Sequence, residues 1–387
     1  MSTLSGNWNY PTLIQFGAGR IQELAIACQG LGMQAPLFIT DRGLSEMPLL
    51  WTEVEACQKA GLRAAVFSDI KPNPVGQNIT EGVAVYKQGQ HDGIIAFGGG
   101  SALDAGKAIA LMVGQDRPLW DFVDEGDNWT RVNVDGMAPV IAVPTTSGTG
   151  AEVGRASVIT NEDCHSKKII FHANMMPGLV IADPALTVGL PPHLTAATGM
   201  DALSHLLEAY CAPGYHPMAD GIALEGMRLV KEWLPIAYQE PENIEARSHM
   251  MVASTMGATA FQKGLGGMHA LAHPLGGLYD AHHGLLNAIL MPYVLRFNQS
   301  KIDERMITLA RHLNLKETNF NSALDWVVEL RSKLKIPQSL SDIGINDNEA
   351  DEVAKRAAVD PAAGGNPIEI TPENIQPVFI DAVNGTL

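Results

Sequence analysis

The fold of the first half of the chain is decided by the segment Gly93–Asp104, which reads GIIAFGGGSALD. An apolar β-prone run comes first, glycines and a serine follow it, and a helix-like stretch begins at Ala102. Glycine lets the backbone approach an anion closely, and a helix start presents free N–H groups and the positive end of its dipole. The segment therefore predicts a strand, a pyrophosphate-binding turn and a helix. A tight turn that binds nothing is the competing interpretation.

Similar β-prone runs occur throughout the first half, and each ends in turn-forming or Gly-rich residues. Short strands that alternate with helical stretches are typical of βαβ units around a parallel sheet. We therefore expect a Rossmann-like α/β dinucleotide-binding domain with a parallel sheet over residues 1–185. Besides residues 93–97, the predicted strands are Pro36–Thr40, Ala64–Phe67, Val140–Val143 and Leu179–Ala182.

The second half changes to long stretches in which apolar residues have helical spacing. Pro274 and Pro292 interrupt two of these stretches. Because proline removes a backbone hydrogen bond from a helix interior, we expect each to end or kink its helix. An all-helical metal-binding domain is expected over residues 186–387. Its predicted helices include Leu194–Cys211, Met218–Ala237, Ala246–Phe261 and Ile302–Leu313.

The composition excludes several classes of partner. The 387 residues include 26 Lys and Arg against 42 Asp and Glu, and the resulting charge of −16 repels nucleic-acid phosphates and anionic lipid surfaces. We find no export signal and no apolar run long enough to span a membrane, so we expect a cytoplasmic location. The four cysteines form no C-x-x-C pair, which argues against a disulfide framework and a cysteine-built zinc site.

A second polar loop, Pro144–Gly150, reads PTTSGTG and directly follows an apolar run. Hydroxyl-rich loops at strand ends are common ligand contacts in open α/β sheets. A solvated turn is the competing interpretation. The candidate groups are the hydroxyls of Thr145, Thr146, Ser147 and Thr149.

Two further carboxylates belong to the nucleotide prediction. Ser101 and Asp104 have the spacing of a capping box at the start of the helix that follows the glycines. Asp41 directly follows a predicted strand, where it can accept hydrogen bonds from both hydroxyls of an adenosine ribose and repel a 2′-phosphate. This contact favours NAD over NADP. An N-cap or turn aspartate is the competing interpretation of Asp41.

Potential metal ligands occur in three short clusters, two of which have helical i, i+4 spacing and therefore share a helix face. A lone buried histidine is more often a structural side chain than a ligand. Three clusters in a chain without usable cysteine ligands instead favour a divalent metal bound by nitrogen and carboxylate, such as iron(II), zinc, cobalt or nickel. The candidates are Asp201 and His205, His269 and His273, and His282 and His283.

Together with the nucleotide loops, these residues resemble the iron-containing, or group III, alcohol dehydrogenases, relatives of glycerol dehydrogenase and dehydroquinate synthase. The resemblance spans nearly the whole chain. It implies a dehydroquinate synthase-like pair of domains, NAD as cofactor, and one divalent metal, with iron(II) favoured and zinc as the alternative. It rests on Pro11–Gly17, Gly98–Asp104, Pro144–Glu152, Gly199–His205, His269–Gly276 and His283–Gly284.

The resemblance also assigns roles by position. It makes His269, rather than His273, the third metal ligand. It makes His283, rather than His282, the fourth. His273 then lies near the nicotinamide and the substrate, where it relays a proton to solvent or supports a ligand. The implied metal ligands are Asp201, His205, His269 and His283. The implied cofactor contacts are Asp41, Gly98, Gly99, Gly100, Ser101, Thr145, Thr146, Thr149, Leu194 and Lys167 (or its neighbour Lys168), and the same loops add Asp104 and Ser147.

The expected reaction is reversible hydride transfer between NAD and a small primary alcohol, diol or hydroxy acid, giving the aldehyde. A glycerol-type polyol dehydrogenase, another dehydroquinate synthase-like enzyme, or a metal- and nucleotide-binding regulator without turnover are the alternatives. A sugar phosphate would require extra Lys and Arg near the ligands, whereas Ala270, Leu271 and Leu275 lie there. We therefore favour a weakly charged alcohol or aldehyde as substrate. The family also favours a homo-oligomer, a dimer or larger.

Overall fold

The computed structural model of the protein describes residues 12–164 and 166–387. Pro11, the first residue of the stretch Pro11–Gly17, lies outside the described residues. Within the described ranges, no helix combines the length and the apolar character needed to cross a membrane.

The described chain forms two compact units. The α/β unit combines residues 12–146 with Gly150–Val188, and the helical unit combines Ser147–Thr149 with Gly189–Leu387. The hydroxyl of Ser254 donates to the carbonyl of Gly148 at 3.0 Å, which ties this short loop segment to the helical unit. The sequence-based division at residue 185 stays a prediction, and it did not anticipate the assignment of the loop.

A parallel sheet forms the centre of the α/β unit, as the sequence predicts. The strands are β1 Ile14–Phe16, β2 Pro36–Asp41, β3 Ala65–Ile70, β4 Gly93–Gly98, β5 Val140–Pro144, β6 Ala156–Asn161, β7 Ser166–Phe171 and β8 Leu179–Ala182. Six of them are parallel, in the order β1-β8-β5-β4-β2-β3. Strands β6 and β7 form a separate antiparallel pair, which the sequence analysis does not predict.

The winding of the sheet identifies where a ligand would bind. The helices of this unit are α1 Leu24–Gly30, α2 Arg42–Ser45, α3 Pro48–Lys59, α4 Gly76–Gln88 and α5 Gly100–Met112. Strands β2 and β4 are neighbours, although β3 separates them in sequence, so the winding direction reverses between them. Open α/β sheets bind ligands at such a switch point, at the carboxyl ends of the strands. Asp41 ends β2 and Gly98 ends β4, so both predicted nucleotide segments reach this point.

The helical unit packs its helices around one apolar core. They are α6 Pro192–Cys211, α7 Pro217–Gln239, α8 Ile244–Ala260, α9 Gly267–Tyr279, α10 His283–His312, α11 Phe320–Lys333, α12 Ala350–Ala358 and α13 Pro372–Asn384. The expected order, an α/β half followed by an all-helical half, is confirmed.

Two prolines do not divide this unit as expected. Helix α9 continues past Pro274 to Tyr279, and α10 runs through Pro292 as one helix of 30 residues. The expectation that a helix ends at each of these prolines is therefore wrong. Both prolines are buried, and burial of a long apolar helix face outweighs the one backbone hydrogen bond that each proline removes.

Candidate active site

Helix α6 carries a row of polar side chains through an apolar core. Asp201, His205 and Glu208 follow at i, i+4 and i+7, so they share one helix face. Their exposed fractions are only 3%, 2% and 5%. Buried polar groups are destabilising unless they are hydrogen-bonded or bind a cation. The row must therefore have partners on neighbouring helices.

Helices α9 and α10 complete a cluster of ligand atoms around this row. Nε2 of His269 lies 3.0 Å from Nε2 of His205. Nε2 of His283 lies 3.7 Å from a carboxylate oxygen of Asp201. Potential ligand atoms of Asp201, His205 and His269 all lie within 4.8 Å of one another. The fold thus brings together the four residues that the sequence analysis names as metal ligands.

Hydrogen bonds determine which nitrogen of each ring carries the hydrogen. Nδ1 of His205 donates to the backbone carbonyl of Asp201 at 2.8 Å, and Nδ1 of His269 donates to the carboxylate of Glu208 at 2.6 Å. Both Nε2 atoms therefore present lone pairs, which repel at 3.0 Å unless a proton or a metal cation lies between them. Imidazole nitrogens beside a carboxylate are ligands that iron(II) and zinc accept. The residues present fit a divalent metal.

The surroundings shift the pKa values of two rings in opposite directions. Burial lowers the pKa of His205 to about 4, against the opposing charge of Asp201. Burial also disfavours protonation of His269, but the charge of Glu208 and its hydrogen bond outweigh burial and raise the pKa. The neutral form of His205 is the form that binds metals, and the buried carboxylates attract a cation.

Glu208 organises the start of α9 as well as His269. Its carboxylate accepts the backbone N–H of Gly266 at 2.8 Å and that of Met268 at 2.6 Å. These donors belong to the first turn of α9, where backbone N–H groups lack partners within the helix and negative charge is favourable. Glu208 was not predicted from the sequence, although its i+3 spacing from His205 on a helical stretch was an available signal.

Two more side chains contact the ligand atoms. Nδ2 of Asn287, one turn beyond His283 on α10, lies 2.9 Å from Oδ1 of Asp201 and 3.2 Å from Nε2 of both His269 and His283. Oγ1 of Thr149 donates to Oδ2 of Asp201 at 3.2 Å. Both oxygens of Asp201 are thus held in place. Asn287 was not predicted from the sequence, and Thr149 was predicted only as a cofactor contact.

His273 lies one turn beyond His269 on α9 and donates to a different carboxylate. Its Nδ1 lies 2.9 Å from Oδ2 of Asp360, the residue that caps a 3-10 helix at Pro361–Gly365. Its ring stacks on that of His283, with centroids 5.5 Å apart and planes inclined by 13°. His273 therefore borders the cluster through His283. Asp360 was not identified from the sequence.

The triple glycine forms the start of α5. Gly98 ends β4 and Gly99 is the N-cap, and among the described residues no side chain caps this helix. Its first-turn N–H groups are therefore available to an anion, as a pyrophosphate site requires. Gly98 has a φ of +149°, and a Cβ there would lie 2.8 Å from Cβ of Ala102, so the turn needs glycine.

The predicted capping box of Ser101 and Asp104 is wrong. The N-cap is Gly99, so Ser101 already lies inside the helix, and its hydroxyl donates to the carbonyl of Pro72 in the loop between β3 and α4. The carboxylate of Asp104 accepts the N–H of Val158 at 2.9 Å and pairs with Lys107 at 3.0 Å. Asp104 thus fixes α5 against β6. Contacts of Ser101 and Asp104 with a cofactor stay predictions.

Asp41 faces the same glycine turn. It is the N-cap of α2, and its Oδ1 accepts the N–H of Leu44 at 3.0 Å, so the N-cap interpretation is correct. Its other oxygen, Oδ2, lies 3.7 Å from the position of a Cβ on Gly98. The hydroxyl of Thr146 lies 3.4 Å from the corresponding position on Gly99. A ribose contact through Oδ2 stays a prediction.

The remaining predicted cofactor contacts divide between the two units. Thr145, Thr146 and Lys167 belong to the α/β unit, with Lys167 on β7. Ser147 and Leu194 belong to the helical unit, with Leu194 in the first turn of α6. Their contact with a cofactor stays a prediction.

Known proteins resemble this chain along nearly its full length. The 4-hydroxybutyrate dehydrogenase of Cupriavidus necator is 38% identical over 370 residues, which cover 93% of this chain and 95% of that protein. The NAD-dependent methanol dehydrogenase of Bacillus methanolicus is 34% identical and covers 97% and 100%. The crystal structure of a 1,3-propanediol oxidoreductase superposes with a TM-score of 0.92 at 33% identity, covering 97% of this chain and 99% of the other.

Family comparisons agree with these relatives. Residues 11–184 match the family described as iron-containing alcohol dehydrogenase. Residues 195–383 match the C-terminal part of the Fe-containing alcohol dehydrogenase family. The chain therefore belongs to the iron-containing alcohol dehydrogenase family of oxidoreductases.

Proposed function

We propose that the protein is a metal-dependent, NAD-linked dehydrogenase that interconverts small primary alcohols and their aldehydes. The observation that carries the proposal is the facing pair of Nε2 lone pairs on His205 and His269, 3.0 Å apart beside the buried carboxylate of Asp201. A proton or a metal cation between the two nitrogens would relieve their repulsion, and the buried carboxylates beside them favour a divalent metal. Iron(II), with zinc as the alternative, suits these ligand types. The proposed ligands are Asp201, His205, His269 and His283.

His283 is the most exposed of the four proposed ligands, and its side of the cluster is called the accessible side. When bound, the metal supplies Lewis acidity toward an alcohol or aldehyde oxygen. The side chain of His283 is 23% exposed, whereas those of Asp201 and His205 are 5% and 3% exposed. Catalytic metal sites keep one position open for substrate. We therefore place the substrate oxygen on the His283 side of the cluster.

His273 is proposed to pass the alcohol proton to solvent. Its ring stacks on His283 at the accessible side, and its Nδ1 donates to Asp360, which leaves Nε2 to accept a proton. Support of Asp201 or His269 is the weaker alternative, because the Nδ1 contact goes to Asp360. We expect His273→Ala to lower kcat by about a hundredfold or more while the metal content stays unchanged. Loss of the metal would instead make His273 a ligand.

Cofactor choice is proposed to depend on Asp41. Its position at the switch point of the sheet, facing Gly98, supports a ribose contact and repulsion of a 2′-phosphate. Asp41→Asn removes the charge but retains a good N-cap residue for α2. We expect the ratio of kcat/KM for NADP to that for NAD to rise in this variant. An unchanged ratio would place the choice of cofactor elsewhere.

The substrate class follows from what the relatives' names share. Methanol, 1,3-propanediol and 4-hydroxybutyrate all carry a terminal CH₂OH group. We therefore propose a primary alcohol, with a hydroxy acid as the second candidate because the most similar of the relatives described above is named for one.

An activity panel with and without chelation tests this function. Protein purified without oxygen is assayed for NAD reduction with methanol, 1,3-propanediol, 4-hydroxybutyrate, glycerol and 2-propanol. We expect activity with the terminal alcohols, loss of activity on chelation, and recovery with iron(II) or zinc. Activity confined to 2-propanol, or full activity in metal-free protein, would contradict the proposal.

A cytoplasmic location and a homo-oligomer complete the proposal. All four cysteines are free thiols, which is typical of a reducing compartment. Cell fractionation tests the location. Light scattering tests the assembly, and a mass equal to the 41.4 kDa of one chain would contradict it.

A further inference from the structure

We propose that Asp360 is a positioning residue that fixes the tautomer and orientation of His273, an inference that rests on the proton-passing role proposed above. The two carboxylate oxygens of Asp360 lie 2.9 Å and 3.1 Å from Nδ1 of His273. Little of either side chain is exposed, 9% for Asp360 and 10% for His273. A carboxylate at this distance accepts the hydrogen of Nδ1, so the lone pair of the ring lies on Nε2.

The local turn does not itself require this contact. The same tripeptide, Asp-Pro-Ala, caps a second 3-10 helix, where Oδ1 of Asp183 accepts the N–H of Ala185 at 2.9 Å. Oδ1 of Asp360 accepts the N–H of Ala362 at 2.8 Å in the same way. At Asp183 the second oxygen accepts the backbone N–H of Ile21, whereas at Asp360 it accepts the imidazole N–H of His273. The cap geometry is therefore common to both sites, and the histidine contact is specific to Asp360.

Removal of the carboxylate would free the ring of His273 in two respects. The hydrogen could then reside on either nitrogen, and the ring could turn away from its parallel position on His283. In both cases Nε2 would less often be in place to accept the substrate proton. The contact joins residues 87 positions apart in sequence, on α9 and in the turn after α12. Its loss would therefore change the position of the His273 ring and leave the local hydrogen bonds of α9 intact.

Two substitutions separate the histidine contact from the cap. Serine is a good N-cap residue but is too short to hold the imidazole. Asparagine has one accepting oxygen, and in the position of Oδ1, which lies 2.8 Å from the N–H of Ala362 and 3.1 Å from Nδ1, it can cap the helix and retain part of the histidine contact. We expect Asp360→Ser to lower kcat by about ten- to a hundredfold, the usual range for groups that orient catalytic or metal-binding residues. We expect Asp360→Asn to lower it less. Metal content should be unchanged in both variants, and Asp183→Asn is the matched control, with unchanged kcat.

A double-mutant cycle with His273→Ala tests whether Asp360 acts through the histidine. If it does, Asp360→Ser causes no further loss of kcat once His273 is alanine. A structural role would cause the same loss in both backgrounds. Thermal unfolding and metal content are measured for every variant, so a folding defect or a loss of metal is seen directly.

The other outcomes overturn either the role of Asp360 alone or the role of His273 as well. An equal loss in the His273→Ala background, a loss of metal on Asp360→Ser, or wild-type kcat in Asp360→Ser would overturn the role of Asp360 and leave the role of His273 standing. Wild-type kcat in His273→Ala would overturn the proton-passing role, and the inference on Asp360 with it.

Discussion

Two histidines one turn apart on α9 each donate the Nδ1 hydrogen to a carboxylate, but the two pairs differ in their surroundings. Glu208 lies on α6 and accepts three donors, and it directs Nε2 of His269 at His205. Asp360 caps a 3-10 helix, and its partner His273 stacks beside the cluster on its accessible side. Equal i, i+4 spacing therefore does not decide which histidine can bind a metal. We propose that the carboxylate that orients each ring decides which histidine binds the metal.

The largest effect is expected at Glu208. Glutamine has one accepting oxygen, and its amide group would face backbone N–H donors of α9, so Glu208→Gln leaves buried donors unsatisfied. It also loosens His269. We expect metal affinity to fall by about a hundredfold and the unfolding temperature to fall as well. Metal content after dialysis against a metal buffer and thermal unfolding measure the two effects.

Glu225→Gln is the control for this variant. Glu225 pairs with Arg228 on the surface of the same unit, with 44% of its side chain exposed, and a surface pair contributes little to stability. Metal content should equal that of the wild type. Normal metal affinity in Glu208→Gln would show that the carboxylate stabilises only the start of α9. Glu208 would then no longer differ from Asp360 by orienting a metal ligand.

A smaller effect is expected at Asn287, which contacts Asp201 from α10. Asn287→Ala removes a hydrogen bond to Oδ1 of Asp201 but leaves the bond from Thr149 to Oδ2. We expect metal affinity to fall by about tenfold, the lower end of the range for such partners. Competition with a chelator of known affinity measures it.

Asn243→Ala provides the matched control for the Asn287 variant. Asn243 caps α8, so its loss should lower stability by about 1 kcal/mol without altering metal affinity. If Asn287→Ala lowered metal affinity as much as Glu208→Gln, or not at all, the ranking of the two contacts would be wrong.

The elements of the α/β unit were largely predictable, because strands that end in glycine or turn residues have a local signature. The β2, β4 and β5 runs and the turn at Gly98 are examples. The continuation of helices through Pro274 and Pro292 was not predictable, because the packing that outweighs a missing hydrogen bond comes from residues distant in sequence. The pair β6–β7 was overlooked for want of a clear turn signal.

Within the candidate site, local spacing predicts residues that share a helix with a proposed ligand but not residues that are distant in sequence. Asp201 and His205 share a helix face, and Glu208 and Asn287 could have been found in the same way, by their i+3 and i+4 spacing from a ligand. Asp360 could not, because only the folded chain brings it to His273.

The smallest effect concerns a buried carboxylate of the other unit, Glu53 on α3. Burial and the charge of Asp183 raise its pKa above the ordinary value of 4.5. A carboxyl whose pKa is raised on folding contributes stability below its unfolded pKa and loses that contribution as pH rises through the folded pKa. Glu53→Gln should therefore raise the unfolding temperature at neutral pH but not at pH 4, unlike Glu208→Gln.

Glu55→Gln, two residues away and exposed, is the control for this change and should show no such pH dependence. Destabilisation of Glu53→Gln at neutral pH would mean that this carboxylate, too, has a structural partner that requires its charge. Glu53 and Glu208 would then both be carboxylates whose charge stabilises the fold, and the two units would not differ in this respect.

The metal content of two pairs of histidine variants tests the assignment of the metal ligands most directly. The pairs are His282 with its neighbour His283, and His273 with His269 one turn away. His282 caps α10 through its Nδ1, whereas the neighbouring His283 directs Nε2 toward Asp201. Mass spectrometry of protein purified without oxygen should find about one iron or zinc per chain in the wild type, His282→Ala and His273→Ala. His283→Ala and His269→Ala should lose most of it. Equal metal content within either pair would contradict the assignment of Asp201, His205, His269 and His283 as the metal ligands.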